Sequence, residues 1–312
     1  MDPLTHTLSG MAVAHMGFRQ RIGWSAVLAV TAGALAPDVD SVMALWDQFA
    51  AIKYHRSLTH SVFGGLPLAL MVAWPLYRWG THKRYRDLVG LVYLGILLHI
   101  ALDLITPFGT KVLYPLSSTP FSWELAFVID PLLTMAFAFP LLVAWWQPRL
   151  ASRAVGIGLI TAIAYLGLAA GARGMTRVAF TSELRQRMIT ADRVEVMPRL
   201  FSPFLWRAVA IGSDRFYYAE VTPWRGGPVD LRLYNQAIRN GYVARSDALE
   251  SVQLFRAFAR FPWAQYQQQG EEHIVEYRDL LFGAERTVHD MVLRVVMDMS
   301  GRVKRVDFNH RF

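Results

Sequence analysis

Cysteine is absent from this chain of 312 residues. Without a thiol there can be no disulfide framework, no thiolate metal site and no cysteine nucleophile. The absence leaves the redox compartment open, because disulfides are the usual signal for it. Any metal ion must therefore be held by nitrogen and oxygen ligands.

Two hydrolase motifs are missing as well. No His-Glu-x-x-His occurs, which argues against a zinc protease of that type. No Gly-x-Ser-x-Gly occurs, so a nucleophile-elbow esterase has no support. The spacing of His99 and Asp103 resembles the His-x-x-x-Asp element of lipid phosphatases, but Tyr93 stands where that pattern requires an arginine.

Charge is sparse in the first part of the chain. Residues 1–175 hold 12 Lys/Arg and 8 Asp/Glu, whereas the remaining 137 residues hold 20 and 16. About 20 apolar residues are needed to cross the hydrocarbon core of a bilayer. The apolar runs of about that length are 61–79, 88–105, 125–146 and 154–172, and two shorter runs are 4–17 and 23–36. We therefore predict a mainly α protein with a helical, multi-pass membrane bundle of about six segments, the first two short, over 1–175.

A second domain is predicted over 176–312. Residues 206–211 and 215–221 alternate around Gly212-Ser213-Asp214, and 288–297 and 303–308 flank Ser300-Gly301, which are two hairpin signals. Residues 247–260 have helical apolar spacing. These features predict a soluble α+β domain.

The basic loops give an orientation. One set of connections between the apolar runs carries eight Lys/Arg, and the alternate set carries Lys53, Arg56 and Lys111. The positive-inside tendency places the first set in the cytoplasm and the C-terminal domain on the extracytoplasmic side. The net charge of +8 is explained by this topology, and no nucleic-acid partner is expected.

Ionisable residues recur inside the apolar part. Such groups are costly in hydrocarbon and read as functional by default. They form four clusters, namely His6, Asp38 with Asp40, His55 with His60, and His99 with Asp103. His99 and Asp103, four residues apart, share a helical face. Taken singly, each cluster is also compatible with a buried hydrogen-bonded pair, a solvated turn or a helix cap. The predicted topology gathers them on one membrane face, which favours a shared metal site.

Five short motifs of this chain together resemble those of a known protein family. They comprise Asp2-Pro3-Leu4-Thr5-His6, Pro37-Asp38-Val39-Asp40, His55-Arg56-Ser57-Leu58-Thr59-His60-Ser61, His99-Ile100-Ala101-Leu102-Asp103 and Asp130-Pro131. Residues 1–175 resemble the YdjM-type family of bacterial inner-membrane proteins, for which a metal-dependent hydrolase activity is inferred. That family in turn resembles the zinc phospholipase C and single-strand nuclease group, whose all-helical site hydrolyses phosphoesters. The resemblance implies His6, Asp38, His60, His99 and Asp103 as metal ligands, with Asp40 and His55 as further candidates.

The implied chemistry is hydrolysis of a phosphoester or ester of a lipid or other amphiphile, at the extracytoplasmic surface of the membrane. Imidazole and carboxylate ligands suit Zn²⁺, and Mn²⁺ or Fe²⁺ fit the same ligand types. Arg56 is a candidate for holding a phosphate oxygen, or else a snorkelling interfacial arginine. Asp130 is a candidate general base or a carboxylate that orients a metal ligand, or else a carboxylate at a helix start.

Two other classes of protein remain open at this stage. An ion- or proton-coupled transporter would also use intramembrane His and Asp, but it predicts an inverted repeat, which we do not find in the sequence. A noncatalytic scaffold held together by a metal ion predicts a closed site with four ligands. The sequence does not define an oligomeric state.

Overall fold

The structure is a computed structural model that describes residues 1–45, 55–200, 202–225, 229–236, 238, 240–282 and 291–309. Its first part is helical and its last part is rich in sheet, as predicted. The chain groups into two compact units. The first is Met1–Val178 with Val196–Arg207 and Val221–Gly226, and the second is Ala179–Glu195, Ala208–Glu220 and Gly227–Phe312. The two short segments of the first unit come from beyond the predicted boundary at residue 175.

Seven α-helices occupy the first part of the described chain. They are α1 (Pro3–Ala14), α2 (Phe18–Ile22), α3 (Trp24–Leu35), α4 (Val62–Trp79), α5 (Tyr85–Leu104), α6 (Pro131–Trp146) and α7 (Ala151–Gln186). Two 3₁₀ helices are Ala36–Leu45 and Pro148–Leu150. The Asp2 side chain caps α1 by accepting the Thr5 N–H at 3.0 Å, and Pro3 opens the helix.

The prediction of about six membrane segments is not supported. Among the described residues, three helical stretches are long and apolar enough to cross a membrane: Trp24–Val42, Tyr85–Leu104 and Pro148–Gln186. The predicted run 125–146 yields a helix of only 16 residues, because Asp130 caps α6 and the chain before it is not helical. Conversely, the short run 23–36 is lengthened by the 3₁₀ helix that follows α3.

Helix α4 is also not among the candidate membrane spans. It has 18 residues, but it contains Pro67 and Pro75 and ends with an arginine and a tryptophan. It is therefore not apolar enough to count among the three candidate spans. The helix packs instead beside α5, where Tyr93 donates a hydrogen bond to the Val62 carbonyl at 3.0 Å.

Two glycines let α3 and α5 approach closely. A Cβ added at Gly33 would lie 2.0 Å from the Val92 carbonyl oxygen, and one at Gly95 would lie 2.2 Å from the Val30 oxygen. No larger residue fits between these backbones. Buried apolar side chains such as Val30, Val92 and Ile96 pack around this contact. The crossing places the end of α3 against the half of α5 that carries the buried histidine and aspartate.

The last part of the chain forms two four-stranded sheets. One has the order β1 (Arg193–Pro198), β2 (Trp206–Ile211), β3 (Arg215–Val221), β4 (Arg232–Asn235), and the other β5 (Pro262–Gln269), β6 (Glu272–Asp279), β7 (Val292–Met297), β8 (Val303–Asn309). Two helices, α8 (Gly241–Asp247) and α9 (Glu250–Phe258), lie between the sheets in sequence.

Both predicted hairpins are present. Strands β2 and β3 are hydrogen-bonded neighbours, and β7 pairs antiparallel with β8. Residues 288–290 of the second prediction lie outside the described residues. The β5–β6 hairpin was not predicted, although Gly270, with φ of 58°, lies in its turn as a left-handed position that favours glycine.

Candidate metal centre

The predicted histidines and aspartates come together from four separate segments. Helix α1 supplies His6, the 3₁₀ helix supplies Asp38, the segment before α4 supplies His60, and α5 supplies His99 and Asp103. The three imidazoles are fully buried, and Asp103 is 1% exposed. Asp38 is more open, with 26% of its side chain exposed. The cluster thus has one side closer to the surface.

Four atoms define its centre. The Nε2 atom of His60 lies 3.4 Å from Asp38 Oδ1 and 3.5 Å from Asp103 Oδ2. The Nε2 atom of His99 lies 3.6 Å from the same Asp38 oxygen and 3.5 Å from the same Asp103 oxygen. Each of these two histidine nitrogens therefore lies within 3.6 Å of one oxygen of each carboxylate.

These buried atoms lack hydrogen-bond partners. His60 Nε2, His99 Nε2 and Asp103 Oδ2 are buried polar atoms whose contacts are not aligned as hydrogen bonds. Burying a polar atom without a partner costs about 1–3 kcal/mol. A cation at the centre would satisfy all of them. Ligands at 2.0–2.2 Å from one tetrahedral ion are about 3.3–3.6 Å apart, which agrees with the four distances.

His6 extends the cluster on one side. Its ring stacks on that of His99, with centroids 3.7 Å apart and an interplanar angle of 11°. Its Nε2 lies 3.5 Å from Asp103 Oδ1, and both ring nitrogens are buried without a hydrogen-bond partner. His6, Asp38 and His99 offer ligand atoms within 4.8 Å of one another. The predicted ligand set therefore suits one ion or a closely spaced pair.

The other nitrogen of each central histidine is held by the protein. His99 Nδ1 lies 2.7 Å from the Ala34 carbonyl oxygen, which can only accept a hydrogen bond. Nδ1 therefore carries the proton, and Nε2 is left with a lone pair facing the cluster. His60 Nδ1 lies 3.0 Å from the hydroxyl of Thr59, which itself donates to Asp40, and 3.2 Å from Asp40 Oδ2. This outer hydrogen bonding is the pattern that orients metal-binding histidines.

Asp40 lies in this outer position. It accepts a hydrogen bond from the Thr59 hydroxyl at 2.6 Å, and His55 Nδ1 lies 2.7 Å from its other oxygen. His55 has 34% of its side chain exposed and is thereby the most open histidine of the cluster. It can also group with Asp38 and His60 as ligands within 4.8 Å. Asp40 thus ties two histidines to the 3₁₀ helix.

Arg56 is directed at the cluster rather than at open solvent. Its guanidinium donates hydrogen bonds to Asp103 Oδ1 at 3.1 Å, to the Thr106 hydroxyl at 3.0 Å and to the Phe108 carbonyl at 2.9 Å. The amino group of Met1 contacts the same Asp103 oxygen. Both groups hold one oxygen of Asp103 in place, so that its other oxygen faces His60 and His99.

Asp130 does not join the candidate ligand groups of the described residues. Its carboxylate accepts the N–H groups of Leu132 and Leu133 at 3.1 Å and the Tyr165 hydroxyl at 2.5 Å. It therefore caps α6 and ties that helix to α7, which is the structural alternative considered from the sequence. Lys111 lies in the loop beside Arg56, whose carbonyl accepts its N–H at 3.1 Å.

The carboxylates around His60 favour positive charge on that residue. Burial alone lowers the pKa of His60, but the carboxylates of Asp38 and Asp40 outweigh this effect, and its pKa lies above the ordinary value of 6.5. A proton or a cation is therefore stabilised at this position.

Sequence reasoning missed three partners of the cluster. The Thr59 and Thr106 hydroxyls hold Asp40 and Arg56. Thr59 stands inside a quoted motif and Thr106 lies three residues after another, so their positions were a usable signal. The Ala34 carbonyl that orients His99 has no signal in the sequence, since every residue has a carbonyl.

Apolar helices able to cross a membrane, together with a buried His/Asp cluster, define a membrane protein with a candidate metal site. The profile of the YdjM inner membrane protein family matches residues 1–175, more than half of the chain. The chain therefore belongs to that family.

Comparison with curated proteins finds one similar protein. It is the uncharacterized protein YfhP of Bacillus subtilis (strain 168), which is 27% identical over 138 residues. The match covers 42% of each chain, so the comparison spans about two fifths of the relative's length. No solved structure matches this chain.

Proposed function

We propose that this protein is a membrane-bound, metal-dependent hydrolase. The observation that carries the proposal is the convergence of His60 Nε2, His99 Nε2 and Asp103 Oδ2, which are buried and without hydrogen-bond partners. Ionisable groups in such surroundings are expensive and mark functional sites. Five candidate ligands exceed the four of a closed structural zinc site, which favours a site with room for water.

His6, Asp38, His60, His99 and Asp103 would hold the ion or ions, with Zn²⁺ as the first candidate and Mn²⁺ or Fe²⁺ suited to the same donors. When bound, a divalent ion lowers the pKa of a coordinated water to about 7 and so supplies hydroxide at neutral pH. The protein keeps the ligands oriented through Asp40 and Arg56. His55, with 34% of its side chain exposed, lies at the open side of the cluster.

An amphiphile with a phosphoester or ester bond is the proposed substrate class. The cluster is formed at the C-terminal end of α5, a candidate membrane span, so its substrate would reach it near a membrane surface. Arg56 already binds Asp103, Thr106 and Phe108, which supports a role in positioning Asp103 over one in gripping a phosphate.

The test uses purified protein in detergent. We expect a divalent metal to copurify with the wild type, and His60→Ala or His99→Ala to lower its content severalfold and to abolish hydrolysis of a panel of phosphoester and acyl lipids. His82→Ala is the matched control, because His82 pairs with Asp87 at the exposed start of α5. Absence of metal from wild type and variants alike would refute the metal site.

A structural ion is the second candidate function. The ligands come from four segments, and each candidate group joins two or three of them, so one ion or a closely spaced pair would cross-link α1, the 3₁₀ helix, the segment before α4 and α5. In that case chelation would lower the thermal unfolding midpoint and the lipid panel would remain uncleaved. Metal-dependent hydrolysis of any lipid of the panel would instead support the hydrolase proposal.

We also propose that the cluster and the C-terminal domain face the extracytoplasmic side. The support is the distribution of Lys and Arg, because one set of connections between the apolar runs carries eight and the alternate set carries three. The three candidate spans do not by themselves define which side the domain faces. A phosphatase fused to the C-terminus should be active, and a fluorescent protein that requires the cytoplasm should be dark. The reverse pattern would overturn this orientation.

A further inference from the structure

The loop between α5 and α6 carries exposed apolar side chains. They are Leu113, Leu116, Phe121 and Trp123, here named the loop patch. Leu116 is 77% exposed, and Trp123 is 53% exposed. Over residues 106–123 the only charged side chain is Lys111. An exposed apolar patch with so little charge marks an interaction surface.

Hydrogen bonds fix this loop to the end of a candidate span. The Trp123 N–H donates to the Leu104 carbonyl at 2.6 Å, and the Leu125 N–H donates to the Ile105 carbonyl at 2.8 Å. Helix α5 has 20 residues, about 30 Å, which matches the hydrocarbon thickness of a bilayer. The end of such a helix lies at the membrane boundary, and so does the chain bonded to it.

The same loop contacts the metal centre. The Lys111 N–H donates to the Arg56 carbonyl at 3.1 Å, and the Phe108 carbonyl accepts from the Arg56 guanidinium at 2.9 Å. Thr110 and Phe121 form an antiparallel bridge that closes the loop. Its main chain is therefore partly satisfied internally, as a segment in contact with lipid requires.

We propose that the loop patch inserts into one leaflet of the bilayer, on the side of the membrane where the metal centre lies. Leucine and aromatic side chains of interfacial segments enter the boundary between headgroups and acyl chains, and Lys111 is suited to anionic headgroups. The insertion would bring the more exposed side of the metal centre, at Asp38, to the depth at which lipid headgroups lie. It does not depend on the proposed hydrolase activity.

The lack of cysteine makes the test direct. Leu116→Cys and Ser118→Cys each introduce a single thiol at an exposed loop position for an environment-sensitive fluorophore. Gln269→Cys, at an exposed position in the last residue of β5, is the matched control. The labelled proteins are placed in nanodiscs of phosphatidylcholine and phosphatidylglycerol, with nitroxides on the acyl chains close to the headgroups.

We expect blue-shifted emission and several-fold stronger nitroxide quenching at both loop positions than at Gln269→Cys. Loop emission equal to that of the control would place the loop in water and overturn the proposal. Blue-shifted emission without nitroxide quenching would mean that a protein partner or second copy covers the patch, which would also overturn it. Metal content and lipid hydrolysis are measured on the same samples, so failure of the hydrolase proposal is recorded separately.

Discussion

At the scale of single residues, the centre depends on which nitrogen of each histidine carries the proton. The Ala34 carbonyl fixes this for His99, and Asp40 does so for His60. Both leave Nε2 facing Asp38 and Asp103. The residue types alone make a metal site conceivable, whereas these outer contacts determine whether the lone pairs converge.

Asp40 can be tested apart from the ligands. We expect Asp40→Asn to weaken metal binding by about 10–100-fold, the range found for outer partners of metal ligands. The amide can no longer stabilise the orientation of His60 as a carboxylate does. Metal affinity is measured by competition with a fluorescent chelator.

Asp87→Asn is the control for that substitution. Asp87 accepts from His82 Nε2 at 2.8 Å in an exposed His–Asp pair of the same kind. Its loss should leave metal affinity unchanged. Equal affinities for wild type and Asp40→Asn would contradict the orienting role of Asp40.

At the scale of helices, the approach of α3 and α5 positions His99 against Ala34. Gly33 and Gly95 make the approach possible. Helix α7 carries a glycine series, Gly156, Gly158, Gly167 and Gly171, of the small-residue kind that lets helices pack closely. Only Gly158 of that series lies against another helix, with Pro140 and the Ala136 carbonyl as neighbours of an added Cβ.

Gly95→Ala tests this crossing with a single methyl group. The added Cβ would lie 2.2 Å from a backbone oxygen, which cannot rotate away. We expect the variant to lose about 1–3 kcal/mol of stability through overpacking and to bind less metal. Thermal unfolding in detergent and metal analysis measure the two effects.

Gly90→Ala in the same helix is the matched control, because its Cβ would meet nothing within 4 Å. It should keep its metal and gain up to about 1 kcal/mol from helix propensity. A Gly95→Ala protein as stable and as metal-rich as Gly90→Ala would refute the close packing.

Asp130 provides a second test at the scale of helices. As the N-cap of α6, its replacement by alanine should cost about 0.5–2 kcal/mol and leave metal content unchanged. The unfolding midpoint and the bound metal are measured on one preparation. Loss of lipid hydrolysis at unchanged stability would instead support the general-base role predicted from the sequence.

At the scale of the whole molecule, the sheet-rich part has its own charge network. Glu276 is 3% exposed on β6, and it accepts hydrogen bonds from Arg278 at 2.8 Å and from Arg294 at 2.5 Å. Burial alone raises the pKa of Glu276, but the two guanidinium groups outweigh burial and hold its pKa below the ordinary value of 4.5. The ionised form therefore stabilises the folded state.

This network predicts a pH dependence of stability. Its contribution is fully present above pH 4.5 and is lost as the pH falls below that value through the lower pKa of folded Glu276. Glu276→Gln should cost about 1.5–3 kcal/mol at neutral pH and flatten the acid limb of the unfolding midpoint plotted against pH.

The control on the same strand is Glu272→Gln. Glu272 pairs with Lys304 at 3.1 Å on the exposed surface, and such pairs contribute about 0.2–1 kcal/mol. The control should retain the acid limb of the wild type. Parallel curves for Glu276→Gln and the wild type would show that Glu276 does not carry the dependence.

The sequence by itself determined the kind of protein. Apolar runs and sparse charge indicate membrane helices, since hydrocarbon excludes charge, and two turn signals located the hairpins around residues 212–214 and 300–301. The candidate ligands could be named in the same way, because His and Asp are conspicuous in apolar surroundings. The number of membrane spans could not be predicted, because composition does not reveal that α6 starts after Asp130 or that a 3₁₀ helix lengthens α3.

Only the tertiary structure decided what surrounds each candidate ligand. Asp38, His60 and the His99–Asp103 pair are far apart in the chain, and Asp38, just after α3, reaches the pair on α5 because these two helices cross at two glycines. Whether Asp40 lies beside the ligands or among them, and whether Arg56 faces Asp103 or solvent, depends on side-chain directions. Those directions follow from packing between segments distant in sequence, which local patterns do not encode.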